Sequence, residues 1–365
     1  MLNKKKERKQ NGLLFYSPLK NEESAFFNLG DCIQSLAAKQ FFDHIDVYIN
    51  REETNLYDCS PVKLIMNGWF MHNPYNWPPS DKIQPLFISF HINEYVRSIL
   101  TSPFSIDYLK QYEPIGCRDI NTYKLLNEKG VKAYFSACLT LTLNRTIKNN
   151  SSRDIVYIVD PIVDHYINNH LTLKNSFYCL WTLFSHFSFL LKLKRKYSSD
   201  LQYTFSFDRI GVKKIINLIT FYRIFNGFVE RDVLLKAKYV THVYKEREEI
   251  DINSKLELAQ EILQKYANAR YVITSRIHCA LPCLAFETPV IYIQNMDENE
   301  MSHCRFGGIV DLFNIVKIST KKSKLISSCL GEKLRWNTIF VNKNTYVKYQ
   351  KDLLKRCLEF VASKE

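Results

Sequence analysis

An α/β fold, with two tandem Rossmann-like βα domains facing a cleft, is what this sequence predicts. Three observations carry that expectation. The length of 365 residues suits two domains of about 150 residues better than one. Hydrophobic residues at 46% and charged residues at 24% give the composition of a packed globular chain and argue against disorder, a fibre or a solenoid. Short β-branched and aromatic runs alternate with helical periodicity, which implies parallel strands under helical cover. That alternation stops at one polar stretch, Asn144–Arg153, and then starts again.

The first domain is expected over residues 12–150, after a basic arm at 1–11. Leu13–Tyr16 reads as its first strand. Asp31–Phe42 has helical spacing with Asp31 at the N-cap, where a carboxylate accepts a hydrogen bond from an orphan backbone N–H. His44–Ile49 and Val62–Met66 read as strands, the second running into a loop at Asn67–Pro74. Pro85–Ile92 is a fourth strand, Tyr112–Cys117 leads into a fifth, and Asp119 caps a helix that ends near Gly130. The second domain, 151–340, restarts with a strand at Asp154–Val159 and is interrupted at about 165–230 by an aromatic and basic insertion. Tyr239–Tyr244 resumes the rhythm as a strand. Lys255–Ala267 is a helix, Tyr271–Thr274 a strand, Ile277–Phe286 a helix and Pro289–Ile293 a strand. A last helix at about Thr345–Ala362, within 341–365, is expected to pack back on the first domain.

The formal net charge is +13, and three short runs supply most of it: residues 4–9, Lys192 with Lys194, Arg195 and Lys196, and Lys321 with Lys322 and Lys324. The rest is nearly neutral and carries no zinc-finger, RRM or helix-turn-helix pattern, so no nucleic-acid partner is expected. The second run follows Ser176–Leu191, an apolar stretch of 16 residues interrupted by His186 and three serines. A spanning helix needs about 20 residues, so this one should not cross a bilayer. It is either a buried core helix with a basic end or a helix lying on an anionic membrane surface through 176–196. The ten cysteines are scattered singly and no apolar signal segment follows the basic N-terminus. Both observations suggest a cytoplasmic protein, with a peripheral position on the cytoplasmic membrane face left open.

Two strand-to-helix turns carry the chemistry. In Thr274-Ser-Arg-Ile-His278, Thr274 or Ser275 can cap the helix, and its free N–H groups make an anion site. Arg276 adds a bidentate partner for phosphate or carboxylate, and His278, in the first turn, can move a proton near neutral pH. Gly116-Cys-Arg-Asp119 repeats the pattern with Arg118 aimed at the same cleft. In Asn28-Leu-Gly-Asp31, Gly30 permits close backbone approach. His72 and His91 end strands on the cleft side and could hold sugar hydroxyls, and Trp69 and Trp77 offer flat faces for pyranose rings. Each of these residues also has a plain reading as a cap, a core ring or an ordinary turn. Cys279 and Cys283 lie four apart, but no further Cys or His stands at a zinc spacing, so they read as core residues and no metal is expected. No Gly-rich dinucleotide or P-loop motif occurs among only ten glycines.

Taken together, these segments resemble the polysaccharide pyruvyl transferases. Residues 269–291, with Ser275-Arg276-Ile277-His278 between a strand and a small-residue helix and then Thr288-Pro-Val290, are similar to that family's S-R-x-H signature. Asn28-Leu-Gly-Asp31 resembles its N-x-G-D, and Gly116-Cys-Arg-Asp119 with Thr122 resembles its R-D-x-x-T helix start. The likeness covers roughly 12–150 and 235–315 and leaves 160–230 unmatched. Two places depart from the pattern: Asn67-Gly-Trp69 stands where a Gly-rich turn is common, and Ser136-Ala-Cys-Leu139 where an acidic residue often precedes the linker.

The resemblance implies a GT-B-like arrangement of the two domains and transfer of pyruvate from phosphoenolpyruvate, as co-substrate and without a cofactor, onto a glycan or lipid-linked sugar as a ketal. It implies donor binding by Arg276, Arg118, Ser275 and Thr274, and an acceptor side containing Gly30, His72, His91 and Trp69. His278 is expected to transfer the proton and Asp31 to position or deprotonate the acceptor. Two other classes compete. A nucleotide-sugar glycosyltransferase would share the fold class. A non-enzymatic membrane-surface scaffold of envelope glycan assembly would bind lipid without releasing phosphate and would have no need of the S-R-x-H turn.

Overall fold

The computed structural model describes residues 9–16, 26–161, 173–201, 212–245, 251–297 and 306–363. In the first half the elements are β1 (Gln10–Phe15), β2 (Phe26–Asn28), α1 (Leu29–Lys39), β3 (Val47–Asn50), β4 (Val62–Phe70) and β5 (Ile83–Ile92). They are followed by α2 (Arg97–Leu100), α3 (Pro103–Lys110), β6 (Ile115–Cys117), α4 (Ile120–Glu128) and β7 (Ala133–Phe135). The second half holds β8 (Ile155–Val159), α5 (Leu173–Asp200), α6 (Val212–Phe225), α7 (Arg231–Lys236), β9 (Lys238–Val240), β10 (Val243–Lys245) and α8 (Ile252–Ala267). It continues with β11 (Ala269–Thr274), α9 (Ile277–Ala285), β12 (Val290–Asn295), β13 (Asn314–Ser319), β14 (Lys324–Ser328) and α10 (Val347–Ala362).

These elements form a mixed α/β protein with two six-stranded sheets. The first runs β3-β1-β4-β5-β6-β7 and is parallel throughout. The second runs β14-β13-β12-β11-β8-β9 and is parallel except for its edge strand β14. Parallel strands buried on both faces read as near-continuous apolar runs, as Val156–Val159 and Tyr271–Ile273 do at the centre of the second sheet. The helices that cover the sheets meet in one core between them. Leu29, Ile33 and Ala37 of α1 and Leu139, Leu141 and Leu143 of a short 3-10 helix share a buried cluster with Leu263 of α8 and Leu281 of α9. The α/β class with parallel-sheet cores expected from the sequence is thus met, and the two sheets share one buried helical cluster.

Several local expectations change. The N-cap of α1 is Asn28, whose Oδ1 accepts from the Gly30 N–H at 3.1 Å, and not Asp31, which lies in the first turn and turns its carboxylate outward to Arg51. The strand expected at Val62–Met66 continues to Phe70, so Trp69 sits in β4 and not in a loop. Gly68 makes the extension possible at φ +122, a conformation that costs other residues strain. The strand expected at Tyr239–Tyr244 is two strands in different sheets. It breaks at Thr241-His242, where the His242 N–H donates to Asp160 Oδ2 at 2.8 Å and the Val243 N–H to Thr241 Oγ1 at 3.1 Å. β10 then pairs antiparallel with β2 of the first half. Strand β3 begins at Val47 and not at His44, and β7, α2 and α3 were not foreseen. Of the basic arm expected at 1–11, residues 10 and 11 belong to β1 and residues 1–8 lie outside the described residues.

The C-terminal helix packs on the first half. Phe135 and Tyr349 meet edge to face at 5.1 Å, the Arg356 guanidinium stacks on Tyr134 at 4.2 Å, and Gln350 Nε2 donates to the Leu141 carbonyl at 2.7 Å. At the far end Lys63 donates to the carbonyls of Phe360, Val361 and Ser363, the exposed acceptors that a helix C-terminus leaves over.

Candidate active site

In a parallel sheet the residue just past each strand's C-terminal end is where ligands are met. Tyr16 follows β1, Arg51 follows β3, Arg118 follows β6, Asp160 follows β8, Thr241 follows β9 and Ser275 follows β11. Side chains from both sheets converge around the first turns of α1 and α9. These two turns touch: a Cβ added to Gly30 would lie 2.9 Å from His278 Nδ1, so only a glycine lets the imidazole rest on the α1 backbone. Gly30 is also held by its neighbours across the halves, because the Leu29 N–H donates to the His242 carbonyl at 2.7 Å.

On the α9 side, Arg276 occupies the N-cap position and its Nε donates to Asp160 Oδ2 at 2.9 Å. Among the described residues its two terminal nitrogens make no hydrogen bond and the side chain is 25% exposed, so a planar pair of donors remains for a ligand. Neither Thr274 nor Ser275 caps the helix. Thr274 is fully buried and its Oγ1 accepts from the Arg276 N–H at 3.0 Å, while Ser275 Oγ donates to the Asp160 carbonyl. Both hydroxyls therefore brace the turn that carries Arg276. Asp160 does the same at φ +38, holding Arg276 with one carboxylate oxygen that also accepts from the His242 N–H. His278 lies half-buried one turn further in. Cys279 and Cys283 are fully buried core residues; burial pushes the Cys283 thiol well up.

On the α1 side, Arg118 is buried and its Nη1 reaches Gln34 Oε1 at 3.4 Å. Gln34 Nε2 in turn donates to the Gly30 carbonyl at 3.3 Å and lies 3.4 Å from Asp31 Oδ1, so Arg118 is coupled through one amide to the turn beneath His278. Asp31 accepts from Arg51 Nη1 at 3.2 Å. Arg51 also bonds Glu52 at 3.1 Å, and its guanidinium lies over Tyr16 at 4.6 Å and Trp69 at 5.3 Å. Glu52 is itself buried and accepts the N–H groups of His72 and Asn73, which fixes the turn after β4. His72 is exposed, and its ring lies tilted against Trp69 at 4.4 Å and Tyr16 at 5.5 Å. A small polar pocket opens here, lined by Tyr16, Asp31, Gln34, Ser35, Arg51 and Asn67, among others.

Two residues expected on the acceptor side sit deeper. His91 is buried, with Nδ1 2.6 Å from Asp119 Oδ2, and Asp119 also caps α4 through the Thr122 N–H at 2.9 Å. Trp77 packs in the core of the first sheet between Phe70 and Phe90. Arg51, Gln34, Asp160 and His242 were not singled out from the sequence. Arg51 and Asp160 had a signal, as charged residues directly after strands. Gln34 had a weaker one, at one helical turn from Asp31.

Gly30→Ala tests the contact between the two turns. The added methyl would displace the His278 ring, so turnover should drop by about 10–100-fold, the scale of small misplacements of a reacting group. The Arg276 side should be little disturbed, because it is held by Asp160. Steady-state kinetics beside a thermal melt would check this; an unaltered kcat would remove the turn contact from the account.

The family model for polysaccharide pyruvyl transferase matches residues 28–298, most of the chain and all of the site except Tyr16. No curated protein and no solved structure matches the chain. The chain belongs to the polysaccharide pyruvyl transferase family.

Proposed function

We propose that this member of the family moves the pyruvyl group of phosphoenolpyruvate onto two hydroxyls of one sugar in a surface polysaccharide or its lipid-linked precursor. The observation that carries this reading is the contact of His278 with Gly30 beside the partly exposed Arg276, at two adjoining helix N-termini. A small anion with phosphate and carboxylate groups needs donors at two positions. Arg276 with the α9 N-terminus supplies one, and Arg118, through the α1 turn, the other.

His278 protonates the methylene carbon, which makes the adjoining carbon electrophilic. A sugar hydroxyl attacks that carbon, inorganic phosphate leaves with the enol oxygen, and a second hydroxyl closes the ketal. The two hydroxyl protons replace the one given up by His278 and one carried off with the phosphate. Arg276 and Arg118 hold the anion while its charge shifts onto the leaving phosphate. In this reading Asp31, paired with Arg51 beside the polar pocket, orients the attacking hydroxyl, and the contact of Trp69 with His72 supports a wall for the sugar ring.

The test is incubation with phosphoenolpyruvate and a panel of galactose- and mannose-type acceptors. Acceptor-dependent phosphate release with a matching mass gain of the sugar is expected. Transfer of a glycosyl group from a nucleotide sugar, with no phosphate released from phosphoenolpyruvate, would overturn the assignment.

A further inference from the structure

Helix α5 carries apolar residues on two opposite faces, and only one of them is used within the described residues. Its inner face packs on α6 and on β9 of the second sheet: Leu190, Leu193 and Tyr197 are buried, Phe189 meets Tyr222 of α6 at 5.3 Å, and Tyr197 meets Tyr239 of β9 at 4.8 Å. The helix bends at His186 (φ −129), which lies on this inner side with Nδ1 3.3 Å from Arg231. Its rotation about its own axis is therefore fixed.

The outer face is Phe177, Leu180, Trp181, Phe184, Phe187 and Leu191, spaced at three and four residues, with exposures from 39% at Leu191 to 78% at Phe184. A helix apolar all round is normally buried, and a soluble surface seldom leaves so large a contiguous patch open. The same face continues into Lys192, Lys194 and Arg195, all exposed, whereas Lys196 turns inward to pair with Asp200 at 2.8 Å. No acidic residue occurs between Leu173 and Ser199. No helix among the described residues is long and apolar enough to cross a membrane.

We propose that the outer face of α5 docks on an anionic lipid surface, with the aromatic stripe in the headgroup and upper acyl region and Lys192, Lys194 and Arg195 among the phosphates. The match is chemical: aromatic residues followed by exposed bases, with no acid between them, is what an interfacial helix presents, and the inner face is already anchored to the protein. This inference does not rest on the donor or the reaction.

Co-sedimentation of the full chain with vesicles of equal parts phosphatidylglycerol and phosphatidylcholine, against phosphatidylcholine alone, tests it. The protein should partition onto the anionic vesicles and come off in high salt. Exchanging Lys192, Lys194 and Arg195 for Ser should weaken partitioning by about 100-fold, and Trp181→Ser with Phe184→Ser should abolish it. Trp181 emission should shift to the blue on binding, a shift that Trp181→Phe removes. Thermal melts and phosphate release with a water-soluble acceptor should be unchanged in these variants, which separates failure here from failure of the donor assignment. Equal binding after the charge exchange overturns the proposal. So does a solution dimer that Trp181→Ser with Phe184→Ser dissolves without any vesicle binding, since a second copy would then cover the face. Shielding of Trp181 from a soluble quencher in the absence of lipid overturns it as well, since another part of the chain would then cover it.

Discussion

Arg276→Ala should raise the KM for phosphoenolpyruvate by about 30-fold or more, the lower end of what losing a charged partner of an anion costs, since this side chain keeps some contact with water. Two effects add. The planar donor pair is lost, and the Asp160 carboxylate, still held by the His242 N–H, is left facing the incoming anion. Folding should change little, because Asp160 keeps a donor and the α9 turn keeps Thr274 and Ser275 as braces. Arg276→Lys should rescue only partly, since one ammonium cannot both bond Asp160 and present two parallel donors. Initial rates across a donor series, with a melt of each variant, decide the matter; an unchanged KM would move the donor site elsewhere. Arg118→Ala is a less clean experiment. Arg118 is buried on Gln34, so its loss should lower stability together with affinity.

His278→Gln should reduce kcat by about 10²–10⁴-fold, the usual contribution of a positioned acid or base. Glutamine keeps the size and one hydrogen bond but cannot deliver a proton near neutral pH. The donor KM should stay close to that of the parent, because Arg276, Arg118 and the helix termini remain. The kcat profile against pH should lose one limb, which a purely structural change would not do. Near-normal turnover in this variant would leave His278 as a packing partner of Gly30 and place the proton donor on another residue.

Much of this was legible in the residues, and the reasons differ by element. The strands β5, β8 and β11 are legible because each holds a short apolar stretch, Leu86–Ile88, Val156–Val159 and Tyr271–Ile273, as a parallel strand covered on both faces does. Asp119 reads as a cap because the helix after it needs an acceptor for an orphan N–H, and the Thr122 N–H is the group it takes. Asp31 misled for the same reason. Two residues near one helix start can both cap, and only the fold shows that Asn28 does so while Arg51 takes the carboxylate. The division at Thr241-His242 is invisible in an apolar run, since what breaks it is Asp160, far away in sequence. Arg51 was overlooked because it follows a strand of only four residues and its partners Asp31, Tyr16 and Trp69 come from three other segments. For the aromatic stretch at 176–191 the sequence leaves a core helix and a membrane-surface helix open; in the fold Leu190 is core, while Phe177, Trp181 and Phe184 are exposed.

The central claim is that the site between the first turns of α1 and α9 holds phosphoenolpyruvate. Thermal unfolding with and without ligand tests it most directly, because whatever binds only the folded state raises its stability in proportion to the logarithm of ligand concentration over Kd. Phosphoenolpyruvate should raise the Tm of the parent protein in a concentration-dependent way and leave that of Arg276→Ala nearly unmoved. Protection by a nucleoside diphosphate sugar, with none from phosphoenolpyruvate at any concentration, would contradict the account.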